Sequence, residues 1–150
     1  MTNVLIGARI ARPAYLTLLL TSIHHVYGAW VYATPWRHHA VFVSLVAASV
    51  MAIALRLAAR ETLAGRVAWW VFVLTTAAIP VLMIGAFEGL YNHVIKNVLY
   101  FGGASASTMH TLFPPPTYEL PNDCFFEATG ILQVVPAAFA AARLVRAITA

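Results

Sequence analysis

All six histidines and four of the five acidic residues gather toward one end of the chain's apolar stretches. They are His24, His25, His38, His39, His93 and His110, with Glu88, Glu119, Asp123 and Glu127; only Glu61 belongs to the arginine-rich end. Imidazole nitrogens and carboxylate oxygens are ordinary ligands for zinc and non-haem iron. Helices that face one another can collect such groups from separate chain segments. The expected metal ligands are His24 or His25, then Glu88 and His93, then Glu127, with Asp123 in reserve. Asn92, Tyr27 or Tyr91 could orient them, because a hydrogen-bond partner fixes the tautomer of a ligating imidazole.

Depth sharpens this choice. His24 stands about 18 Å up a helix from Arg12, near the middle of a hydrocarbon layer about 30 Å thick. No charged residue separates Glu127 from Arg143, a helical distance of about 22 Å. An ionisable group at such depth is costly unless it is paired, protonated, hydrated or metal-bound.

Spacing sets the faces. Glu88 and Asn92 are four apart and share a helix face, Lys96 continues the line, and His93 lies on an adjoining face. Asp123 and Glu127 are also four apart, although Asp123 equally suits the start of a helix, where its charge meets the helix dipole. His24 and His25 differ by about 100° around a helix, so their rings cannot point the same way. Tyr27 and Tyr32 could orient a histidine or carry protons. Each group also has a plainer role. His24 and His25 could make interhelical hydrogen bonds, His38 and His39 could join an interfacial belt with Trp30, Trp36 and Tyr32, and Lys96 could be a solvated interfacial charge.

No local motif fixes the chemistry. There is no H-E-x-x-H, no paired Glu-x-x-His of a di-iron bundle, no G-x-S-x-G and no phosphate-cradling glycine loop. The single Cys124 excludes an internal disulfide and any multi-cysteine metal motif.

The elements that must position these groups are membrane helices. The 150 residues are 61% hydrophobic and only 9% charged, against about a quarter charged in a soluble domain. Four spans follow: Pro13 to Ala33, His38 to Ala59, Arg66 to about Tyr100 with a kink at Pro80, and Pro121 to Arg146. Arg9 and Arg12 precede the first run, which is too long for a signal-peptide core. Residues 101–120 form an extracytoplasmic loop, where glycine, serine and Pro114, Pro115 and Pro116 oppose regular structure. That loop could be an ordinary crossing or a lid over the bundle end.

Arg9, Arg12, Arg56, Arg60, Arg66, Arg143 and Arg146 share one side, whereas Arg37 and Lys96 take the other. This bias puts the arginine-rich side in the cytoplasm. The expected fold is therefore an all-α integral membrane protein, one four-transmembrane-helix bundle over residues 1–150 with both termini cytoplasmic. It would sit in a bacterial inner membrane with the polar half facing outward. The net charge of +4 forms no patch that could follow a nucleic acid backbone. Gly85 and Gly89 would permit close helix approach, within the chain or in a homo-oligomer.

The expected function is a metal-dependent membrane enzyme. Its zinc or non-haem iron would activate water or oxygen against a lipophilic substrate, with Glu88, Glu127, Asn92 and Tyr27 serving the chemistry. One alternative is a metal-ion or proton transporter or channel, built on the same buried groups. The other is a haem- or quinone-binding redox protein, with His24 or His25 and His93 as axial ligands.

Overall fold

The computed structural model describes residues 3–149 and is all-helical. Met1, Thr2 and Ala150, the ends expected in the cytoplasm, lie outside the described residues. Helix α1 runs Asn3–Val31. A short 3-10 turn, Pro35–His38, leads into α2, His39–Leu57. Helix α3, Leu63–Thr76, is capped by Thr62, whose hydroxyl accepts from the Gly65 N–H. It continues without a break through a π-helical segment, Ala77–Ile95, into α4, Lys96–Phe101. Helix α5 is Ala106–Leu112, α6 is Cys124–Leu132 and α7 is Val134–Thr149.

Among the described residues, three helical stretches are long and apolar enough to cross a membrane: Pro35–Leu57, Leu63–Phe101 and Cys124–Thr149. Four were expected. The 29-residue α1 is long enough, but Thr17, Thr21, Ser22, His24 and His25 dilute its apolar run. All of these polar residues but Ser22 turn inward. Thr17, Thr21, His24 and His25 are buried, while Leu16, Leu19, Ile23, Val26 and Trp30 are exposed. The exposed set recurs at steps of three and four, which is one face of a helix.

Pro80 does not end the third long helix. It lies in the stretch where hydrogen bonds reach five residues back instead of four. This winding is rare in helices and concentrates at functional positions. Close packing holds the segment against the last helix. A Cβ on Gly85 would collide with the Cβ of Ala137, and one on Gly89 would press on Val134. The glycines therefore serve an approach within the chain. Pro136 has no N–H for the carbonyl four residues back, which accounts for the break at Gln133 between α6 and α7.

Helix α1 packs on α2, α6 and α7, and α7 packs on the π segment. Toward the arginine-rich end the interior is apolar, built on Ile10, Ala14, Met51, Phe72, Val73, Ala140 and Leu144.

The 101–120 connection is more ordered than its composition suggested. Ser105 caps α5 by accepting from the Thr108 N–H, and Met109 and Phe113 bury their side chains. The Tyr91 hydroxyl donates to the Leu112 carbonyl at 3.0 Å. Buried apolar anchors and a cap thus outweigh the local preference for coil.

Candidate metal centre

The π winding decides which side chains meet. With hydrogen bonds spanning five residues, positions five apart come onto one face of the helix. Glu88 and His93 are such a pair, and Glu88 Oε1 lies 3.5 Å from His93 Nε2. Glu88 Oε1 is also 3.5 Å from His24 Nε2 and 3.8 Å from His25 Nε2. The Nε2 atoms of His24 and His93 are 3.2 Å apart. His24, His25 and Glu88 form a buried cluster whose ligand atoms all lie within 4.8 Å of one another, placed to hold a metal ion.

The His24–His93, His24–Glu88 and His93–Glu88 separations of 3.2–3.5 Å can be compared with those around an ion, whereas His25–Glu88 is longer at 3.8 Å. Ligands about 2.0–2.1 Å from a tetrahedral ion stand roughly 3.3 Å from one another. A hydrogen-bonded group alone would satisfy at most part of this arrangement, since each neutral imidazole has one donor and one acceptor.

Every far atom of the cluster is already engaged. His24 Nδ1 meets Thr129 Oγ1 at 3.0 Å, and His25 Nδ1 meets the Thr21 carbonyl at 3.0 Å. His93 Nδ1 meets Glu127 Oε2 at 2.8 Å. Asn92 donates from Nδ2 to Glu88 Oε2 at 2.8 Å. Each ring is thereby anchored on its Nδ1 side, so Nε2 is the atom presented to the shared centre. Phe126 stacks on His24 at 4.1 Å between ring centroids. Gly130 gives His93 its room, because a Cβ there would run into the imidazole.

Glu127 stands one step back from the position expected for it. It faces the outer side of His93, where Lys96 Nζ donates to Oε1 at 2.9 Å and Asn97 Nδ2 donates to Oε2 at 2.6 Å. Lys96 is buried and not a solvated interfacial charge; it also donates to the Glu119 carbonyl at 2.7 Å. Glu119 in turn accepts from Arg37 at 3.3 Å. The segment after Pro116 is thus tied across the top of the cluster.

Asp123 and Tyr27 are not brought to the cluster. Asp123 Oδ1 accepts from the Phe126 N–H as the cap of α6, and Oδ2 accepts from the Tyr27 hydroxyl at 3.1 Å. The two groups satisfy each other at the helix start, so Asp123, expected as the reserve ligand, and Tyr27, expected to orient a ligand, are engaged away from the cluster. His38 and His39 bond backbone carbonyls through Nδ1, and His110 is exposed on α5. Thr21, Asn97, Thr129 and Phe126 contact the cluster residues but were not singled out in the sequence. The His93–Asn97 and Thr21–His25 spacings of four were the available signals.

Two hollows meet at His25 and Glu88. One, of about 180 Å³, is lined by Arg37, Asn92, His93, Lys96, Tyr118 and Glu119. Burial raises the Tyr118 phenol above its ordinary value of 10.0, so it faces this hollow as a neutral hydroxyl. The second, of about 150 Å³, runs between α2 and the π segment.

No protein-family model, curated protein or solved structure matches the chain.

Proposed function

We propose that this chain is a membrane-embedded metal-dependent enzyme acting on a lipophilic substrate. His24, His25, His93 and Glu88 would hold one zinc or non-haem iron ion. The observation that carries this reading is the His24, His25 and Glu88 cluster, whose ligand atoms lie within 4.8 Å of one another, with His93 Nε2 3.2 Å from His24 Nε2 and 3.5 Å from Glu88 Oε1 and each opposite atom tied to the protein. The ion would supply Lewis-acid activation of water or, if it is iron, of oxygen. Glu127 would hold His93 in its ligating tautomer, and Asn92 would fix the Glu88 carboxylate.

The membrane reading is a four-span bundle with the cluster toward the extracytoplasmic side. Helix α1 would be the fourth span. Leu16, Leu19, Ile23, Val26 and Trp30 face outward and Thr17, Thr21, His24 and His25 inward, an arrangement that lipid favours and water does not. Arg9, Arg12, Arg143 and Arg146 line one crevice at the opposite end, which agrees with a cytoplasmic side there.

A conduction path finds less support. On the arginine-rich side of Thr17 the interior closes on Ile10, Ala14, Met51 and Phe72. Axial haem ligation finds less still, since two nitrogens 3.2 Å apart leave no space for a macrocycle between them.

Metal analysis by mass spectrometry tests the proposal on untagged protein purified without added metal. The expected result is close to one zinc or iron per chain, lost in Glu88→Ala and in His24→Ala/His93→Ala. Metal-free protein that is folded, or variants that all keep full metal, would overturn it.

A further inference from the structure

The two hollows differ in character and share His25, His39, Phe87 and Glu88. The larger lies under the tied segment around Tyr118 and Glu119 and carries most of the polar groups. The other has walls of Ala40, Val43, Met83 and Ile84, with Ser44 among them. Val43, Met83 and Phe87 are exposed at its rim. In the membrane reading that rim faces lipid. The Glu88 carboxylate stands where the polar hollow becomes the apolar one.

Charge narrows the polar end. Arg37 is paired with Glu119 at 3.3 Å and Lys96 with Glu127 at 2.9 Å. Neither cation is left for a phosphate, and a hollow of about 180 Å³ is too small for a large headgroup. Asn92 supplies a positive feature. A carboxylate only accepts hydrogen bonds, so the amide must turn Nδ2 toward Glu88. Its Oδ1 is buried and has no hydrogen-bond partner among the described residues. Asn92 lines the polar hollow, and its free acceptor calls for a donor on the bound molecule. Ser44 Oγ, also buried and without a partner among the described residues, is the corresponding point on the apolar side. An apolar cavity of about 150 Å³ accepts a molecule of benzene size, enough for the first part of a hydrocarbon chain whose remainder stays in lipid.

We infer that the substrate is a single-chain amphiphile with a small uncharged head that donates a hydrogen bond, a hydroxyl or an amide. The head lies beside Asn92 and Glu88 under the Tyr118 segment. The chain leaves sideways between α2 and the π segment into the bilayer. This inference rests on the metal-site reading and adds the substrate class and its direction of approach.

The test uses cobalt-loaded protein in amphipol, with the visible cobalt spectrum as the readout. The probes are acetohydroxamic acid and decanohydroxamic acid, which share one small N–H-bearing head, neutral in solution and deprotonated on the metal, and differ only in the chain. Decanohydroxamic acid should perturb the spectrum at a concentration at least tenfold lower. Ala40→Trp, which fills the lateral hollow, should abolish that advantage while leaving cobalt content and the acetohydroxamic response intact. Met83→Trp serves as a second block from the opposite wall. Equal half-saturation by the two probes, or a chain advantage that survives in both variants, would overturn the inference and leave the metal site standing. Failure of the protein to bind cobalt would overturn the metal reading and this inference with it.

Discussion

Glu127 Oε2 lies 2.8 Å from His93 Nδ1, and the other nitrogen of the same ring lies 3.5 Å from Glu88 Oε1. One imidazole therefore bridges two carboxylates, one behind it and one beside it. A carboxylate behind a ligating histidine fixes its tautomer and raises its basicity. Glu127 has two further donors, Lys96 and Asn97, so its own position is held from the outer side.

Glu127→Gln should weaken metal binding without removing it. Loss of an outer partner of this kind lowers metal affinity about 10–100-fold. A competition titration against a chelating dye should show that drop, with one metal per chain still reached at saturation. Wild-type affinity in the variant would mean that His93 is not a ligand.

The Lys96–Glu127 pair makes a separate claim about stability. Both side chains are buried and 2.9 Å apart. Removing one member of a buried pair leaves the other charge uncompensated, at about 3–5 kcal/mol. Lys96→Met should therefore lower the melting temperature in detergent sharply. Adding Glu127→Gln to it should recover part of the loss, because the stranded charge is gone. A double variant that melts below Lys96→Met would refute the pairing.

Gly130→Ala and Gly85→Ala separate packing from chemistry. Each added Cβ meets a neighbour too closely, the His93 ring in the first case and the Ala137 Cβ in the second. Overpacking costs typically about 1–3 kcal/mol at either position. Only the Gly130 variant should also lose metal affinity, since only it displaces His93, a ligand in the proposed site. Equal metal affinities in the two variants would detach His93 from the site.

Why some of this was legible in the sequence and some not has a physical basis. His24 and Glu127 could be picked out because ionisable groups far from any interface are costly, and depth follows from counting residues; His25 came as the neighbour of His24. The Glu88–Asn92 pairing followed from spacing alone, and the structure shows it. The Glu88–His93 contact did not. Five residues apart is the wrong interval for an α-helix, and the π winding that makes it right depends on packing against the last helix at Gly85 and Gly89. Thr129 gave no signal, because a threonine in an apolar run ordinarily bonds to its own helix. Thr129 does so through Phe125 and also meets His24. Asp123 drew attention by charge, yet a cap and a tyrosine use both of its oxygens.

Orientation can be tested without engineering a reporter residue. Cys124 is the sole cysteine and is exposed. It opens α6, one residue after the Asp123 cap and at the same end as Glu127, which contacts His93. If the arginine-rich end is cytoplasmic, Cys124 faces outward. A membrane-impermeant maleimide applied to intact spheroplasts should then label the wild-type chain and leave Cys124→Ser unlabelled. In inside-out vesicles the same reagent should fail until detergent is added. The reverse pattern would turn the molecule over and place the His24, His25 and Glu88 cluster on the cytoplasmic side.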